Sequence, residues 1–230
     1  MKKYELTAET KEIGGVTLHR IRALIDIPEH DVKAGDLGGW IEAERNLSQK
    51  GAAWVADEAR VMGEALVMDS ALVMDSALVM DSARVTGKAR VMDSARVMGT
   101  ALVMGSAWVT GKALVTDLAC VTGSAWVTGK ACVMGKARVT GKERMTGNAL
   151  VMKSSDCITI GAIGSRDDTT TFYRGADGKI YVSCGCFNGT IDDFAAKVKE
   201  VHAGTKHERT YLLAVELAKA QMNVESEVNK

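Results

Sequence analysis

A net charge is the first thing this chain lacks. Lys and Arg number 29 against 29 Asp and Glu, so no global field draws it toward nucleic acid or an anionic membrane. Long apolar runs are missing too. Nowhere do eighteen apolar residues stand together, and the opening MKKYELTAETKEIGG has no signal-peptide core, so a cytoplasmic protein with no membrane partner is expected. Cysteines are few and odd in number: there are 5, and Cys120 and Cys132 occupy positions that carry Leu, Arg or Trp in neighbouring repeats. Reduced thiols fit that usage better than a disulfide framework. Histidine is absent from residues 51–153; His19, His30, His202 and His207 all fall in the flanks. What remains is ample for a folded core, since 47% of the 230 residues are hydrophobic.

What is present is repetition. ALVMDSALVMDSARV, residues 71–85, repeats a hexad Ala-x-Val-[Met/Thr]-[Asp/Gly]-x almost unchanged. Valine recurs every sixth residue from Val55 to Val151, with Met145 the one substitute, and Ala stands two residues before nearly every one, Glu143 being the exception. A spacing of two is strand spacing, so Ala and Val point to one side and the residue between them to the other. The Gly or Asp that follows, as at Gly63, Asp69, Asp93 and Gly111, is where the chain turns a corner. A six-residue period drifts around a helix, whereas stacked strands bury their apolar side against the next repeat, which predicts a solenoid.

These hexads resemble the hexapeptide-repeat, left-handed parallel β-helix, in which three hexads make a triangular coil of 18 residues. Here Met or Thr stands between the aliphatic residue and the corner, as in Val73-Met74-Asp75. The leader Gly35-Asp36-Leu37-Gly38-Gly39-Trp40-Ile41-Glu42 resembles the one preceding hexads in phage and prophage proteins. The run ITIGAIGSRDDTTTFY…VSCGCFNGT resembles the small C-terminal module of the same phage-encoded family, whose activity the resemblance does not supply. The expected fold is mainly β: a capping segment over residues 1–50, a β-helix over 51–153 and an α+β module over 154–230. Strands are predicted over residues 16–27, 158–162, 169–174 and 179–183. Helices are predicted from a capping-box start at Thr190 and Asp193 to His202, and from Glu208 to about Asn223.

Sorting outward residues by steps of eighteen gives columns with different chemistry. One reads Trp54, Leu72, Arg90, Trp108, Trp126, Arg144. Its indoles and guanidinium groups can stack as a stabilising ladder or receive a planar ligand. Another reads Arg60, Leu78, Arg96, Leu114, Cys132, Leu150, beside Met62, Met80, Met98, Thr116, Met134, Met152. Methionine fills gaps at strand corners, but an apolar face of this size suggests a subunit interface, and the resemblance implies a homotrimer. Leu78, Leu114, Leu150, Met62, Met80, Met98 and Met134 are the interface candidates.

The tail concentrates the reactive side chains. Ser165, Arg166, Asp167, Thr169, Thr170 and Thr171 follow glycines at 161 and 164 and form a candidate site for a phosphate or nucleotide. Cys184 and Cys186 with Cys157 and His202 offer a metal set of unusual spacing, and Cys186 with His202 a nucleophilic pair; buried structural thiols account for them more simply. Hexad-repeat acyltransferases need a catalytic His and loop insertions, and these coils have neither. The reading that follows is a non-enzymatic phage-type binding protein, needing no cofactor or metal, that presents its tail to a host protein or a nucleotide-like small ligand. A nucleotide-sequestering protein and an acyltransferase are the alternatives.

Overall fold

The computed structural model describes residues 2–222. Its centre is a parallel β-solenoid of seventeen two-residue strands, one every six residues, from β4 (Trp54–Val55) to β20 (Leu150–Val151). Strands eighteen residues apart pair in parallel: Trp54 with Leu72, Leu72 with Arg90, Arg90 with Trp108, Trp108 with Trp126, Trp126 with Arg144. Three such columns make three sheets. Every repeat Ala and Val faces inward, the Val side chains being fully buried, each stabilising the stack by roughly 1.5–2 kcal/mol.

The corners explain the alternation of Gly and Asp. Asp57, Asp69, Asp75, Asp81, Asp93 and Asp117 are left-handed, with φ between 53 and 62°, as are the corner glycines. Asp tolerates that conformation because its short side chain hydrogen-bonds locally. Here it also bonds upward. Asp93 Oδ2 accepts the amide hydrogen of Gly111 at 2.8 Å, one coil further on. The other five corner aspartates make the same bond to the residue eighteen places on, at 2.9–3.2 Å. The corner aspartates therefore pin successive coils as well as turning the chain.

Residues 2–50 pack against the first coil of the solenoid, with more structure than the sequence suggested. β1 (Tyr4–Ile13), which the sequence did not signal, pairs antiparallel with β2 (Val16–Ala23), and β2 pairs with β3 (Leu37–Ile41). β3 then joins a solenoid face in parallel, Trp40 opposite Arg60 and Ile41 opposite Val61, while Leu47 bridges Val67. The leader is thus an extra coil with two additional residues. Gly38 and Gly39 are required there: a Cβ on Gly38 would lie 2.6 Å from Ile21, Trp54 and the carbonyl of Val55. The strand expected to reach residue 27 stops at Ala23, because the Ala23 amide and carbonyl bond Asp36 and Gly35 and turn the chain into a strap. Pro28 opens a 3-10 turn in that strap. Ser70 Oγ donates to Glu29 at 3.1 Å, and Ile27 and Val32 share one core with Trp54 and Leu72. Below, Lys3 Nζ donates to the Ala53 carbonyl at 2.6 Å and Tyr4 Oη to that of Leu47 at 2.7 Å, which satisfies the exposed coil end.

At the other end Glu143, the odd residue in the alanine column, points inward and accepts the Thr140 amide hydrogen at 2.7 Å. Its carboxyl, 8% exposed, is pushed above the ordinary range by burial and bonds Thr159 and Cys157 of the tail. The tail sheet is β21 (Cys157–Ile163), β22 (Asp168–Arg174), β23 (Ile180–Cys184) and β24 (Phe187–Thr190), antiparallel and in chain order. β24 was not anticipated; the chain reverses at Gly185, whose φ is 60°. Helix α1 (Ile191–His202) starts as expected, with Thr190 Oγ1 accepting the Asp193 amide hydrogen at 3.2 Å. Helix α2 (Lys206–Met222) begins earlier than Glu208, because Thr205 Oγ1 accepts the Glu208 amide hydrogen at 3.3 Å and caps the first turn. Its expected end at Asn223 lies outside the described residues. Among the described residues no helix is long and apolar enough to cross a membrane.

Candidate functional site

The tryptophan column forms a continuous stack. Arg90 lies over the Trp108 ring at 5.2 Å, Trp108 and Trp126 are parallel within 6° at 5.1 Å, and Arg144 lies over Trp126 at 5.1 Å. Its lower end is covered, Trp54 being 1% exposed beneath the strap; its upper end is open, Trp126 being 39% exposed. Arg144 is on the last strand of its face, the edge of that sheet. Beyond it the chain contributes β22, whose Thr171 Oγ1 accepts the Arg144 amide hydrogen at 3.4 Å.

A hollow of about 270 Å³ opens where the ladder ends, lined by Ser124, Trp126, Lys142 and Arg144 of the solenoid and by Asp168, Thr169, Thr171, Ser183 and Gly185 of the tail. Neither Lys142 nor Arg144 has a carboxylate within 4.0 Å among the described residues; the Arg144 guanidinium lies over the Trp126 indole. Asp168 Oδ1 accepts from the Thr169 amide at 2.7 Å and its hydroxyl at 3.1 Å. Those bonds, with Lys142 and Arg144 beyond, hold the Asp168 carboxyl below its usual range. Two cations without an ion pair inside 4.0 Å, three hydroxyls not committed to Asp168 and one ionised carboxylate therefore converge on a cavity that can hold an anion and donate to its oxygens.

The residues predicted from the tail loop are divided by β22. Thr169 and Thr171 face the solenoid and line this hollow. Thr170 faces the helices, fully buried, with Oγ1 3.2 Å from Cys184 Sγ. Ser165 and Arg166 line a different hollow of about 150 Å³ against α1 and α2, with Cys184, Cys186, Phe194, His202 and Tyr211. Asp167 is an exposed left-handed corner between the two, at φ 48°. Strand alternation sends neighbouring side chains to opposite faces, so the six do not share one cavity. Cys157 sits in the solenoid-side core and Cys184 in the helix-side core, and no three His, Cys, Asp or Glu side chains among the described residues gather as a metal site. Burial and the nearby Glu143 raise the Cys157 thiol well above its ordinary value. No histidine lines the junction hollow.

The interface candidates line one face. Leu78, Leu114 and Leu150 are in register with Arg60, Arg96 and Cys132, and with Met62, Met80, Met98 and Met134 they are half-buried. Sequence patterning gave the Trp–Arg stacking but missed Ser124, Lys142, Asp168, Ser183 and Gly185 as its neighbours. They lie up to about sixty positions apart, and only the docking of the tail brings them together. The chain matches no protein-family model and no curated protein.

Proposed function

We propose that this chain is a non-enzymatic binding protein of the phage or prophage type, and that it holds a small anionic ligand where the last coil meets the tail. One observation carries this: Lys142 and Arg144 have no ion-pair partner among the described residues and face a hollow lined with hydroxyls. Cations left without partners beside a concave polar surface are matched to a ligand that supplies the opposite charge. Acyl transfer has less support, since no histidine lines the hollow and none lies in the coils. Calorimetry of the full chain against phosphate, pyrophosphate and phosphorylated small molecules tests the proposal. Binding should occur and should weaken about tenfold in Lys142→Ala and again in Arg144→Ala, with the fold retained. No heat from any of these anions overturns it.

The half-buried Leu and Met column supports a second element of this reading, a homotrimer in which that face is shared and the tail is presented to a host protein or the small ligand. Sedimentation equilibrium should give three times the chain mass, and Leu78→Glu with Leu114→Glu should give folded monomers. A wild-type monomer at micromolar concentration overturns the trimer.

A further inference from the structure

The place where the ladder stops has a shape that selects among anions. In each lower coil the next side chain of the column stacks on the one before: Trp108 on Arg90, Trp126 on Trp108, Arg144 on Trp126, at 5.1–5.2 Å. Above Arg144 lies β22 of the separate tail sheet, whose side chains there are the short Thr169 and Thr171, and the neighbouring β23–β24 turn contributes Gly185, which has no side chain. The next rung is therefore empty, and one face of the Arg144 guanidinium has no protein group stacked on it among the described residues.

We infer that the ligand is a mononucleotide or a close analogue, whose flat base occupies that rung on Arg144 and whose phosphate is taken by Lys142. The inference rests on the hollow being an anion site, as proposed above. A guanidinium plane stacks on a π face whatever the base, so the geometry selects for a nucleobase without specifying which one. Lys142 supplies a point charge, and Ser124, Thr171 and Ser183 supply hydroxyl donors to phosphate oxygens, the Thr169 hydroxyl being given to Asp168. Asp168, ionised and still offering oxygen lone pairs, accepts from ribose hydroxyls, a pairing that an inorganic anion cannot use. About 270 Å³ is close to the lower bound of ~300–1,000 Å³ usual for small-molecule pockets. That volume suits one base with one phosphate.

Calorimetry on the full chain with inorganic phosphate, ribose 5-phosphate, adenosine, AMP and UMP separates this inference from the reading it rests on. AMP and UMP should bind about tenfold more tightly than ribose 5-phosphate, the size of one stacking contact. Arg144→Lys keeps the charge but loses the plane, and should bring AMP and UMP down to the affinity that ribose 5-phosphate has for the same variant; Lys142→Ala should weaken every phosphorylated compound more than it weakens adenosine. If ribose 5-phosphate binds as tightly as AMP, the nucleotide inference falls and the anion site stands. If adenosine binds as tightly as AMP, or no phosphorylated compound binds, both fall. Near-ultraviolet circular dichroism of the stacked tryptophans reports whether each variant retains its fold.

Discussion

The two ends of the solenoid are built from the same hexad and finished differently. Of the seven corners between residues 57 and 93, five are Asp, each bonded to the coil above; of the nine between 99 and 147, only Asp117 is. Where the early coils carry Asp and Ser, the later ones carry Gly followed by Lys88, Lys112, Lys130, Lys136 and Lys142. The tryptophan face follows the same division, closed at Trp54 by the strap and open at Trp126. The lower coils satisfy their own backbone with side chains. The upper coils have lysines after their corner glycines, and one of them, Lys142, lines the junction hollow. A repeat that tolerates both corner residues can thus be used for rigidity at one end and for charge at the other.

Exchanging the corner types tests this division most severely. Gly123→Val places a β-branched residue at φ 72°, with a Cβ 2.7 Å from the Gly141 amide nitrogen, and should cost about 3 kcal/mol or more. Asp93→Ala keeps a left-handed backbone but removes the acceptor for Gly111; it should cost roughly 2 kcal/mol, and Asp93→Gly about half that because the strain is relieved. Urea denaturation of each variant measures the differences. Equal losses for Asp93→Ala and Asp93→Gly would mean that the bond to Gly111, and not the backbone conformation, accounts for all of the effect.

A smaller effect distinguishes the closed end by pH. Burial pulls the Lys3 ammonium from its usual 10.5 down to about 8. Between those values the unfolded chain binds more protons than the folded one, so stability rises as pH goes from 8 toward 10. Burial pushes the Tyr4 phenol the other way, above its ordinary 10, so there the unfolded chain loses its proton first and stability falls above pH 10. A gain on the order of 1 kcal/mol between pH 8 and 10 is expected for the wild type and should vanish in Lys3→Met. An unchanged slope in that variant would remove Lys3 as its source.

The solenoid was legible because its energetics are local and periodic. Ala and Val two residues apart, followed by a residue able to adopt positive φ, determine inward face, outward face and corner in six letters, and stacking requires that each coil present its neighbour with the same surface. The columns followed from the same arithmetic, including the Trp–Arg stack. The interlocking role of the corner aspartates was also written there, as Asp57, Asp75 and Asp93 spaced by eighteen, but turn propensity explained those residues without it. β1, β24 and the true start of α2 were not legible: β1 and β24 are formed by pairing with the neighbouring strand and α2 starts at a local Thr205 cap, and none of the three carries a strong hydrophobic period of its own.

Translation symmetry let the sequence by itself determine a parallel β-solenoid, its register, its Ala and Val core and the chemistry of its outer columns. It could not determine what happens where the symmetry stops. The burial of Glu143 under the tail, the division of Thr169 to Thr171 between two faces of a strand, and the meeting of Lys142 and Arg144 with Asp168 and Ser183 all depend on how one folded unit seats on the end of another. That seating is decided by packing and hydrogen-bond satisfaction between residues far apart in the chain, which no local pattern encodes.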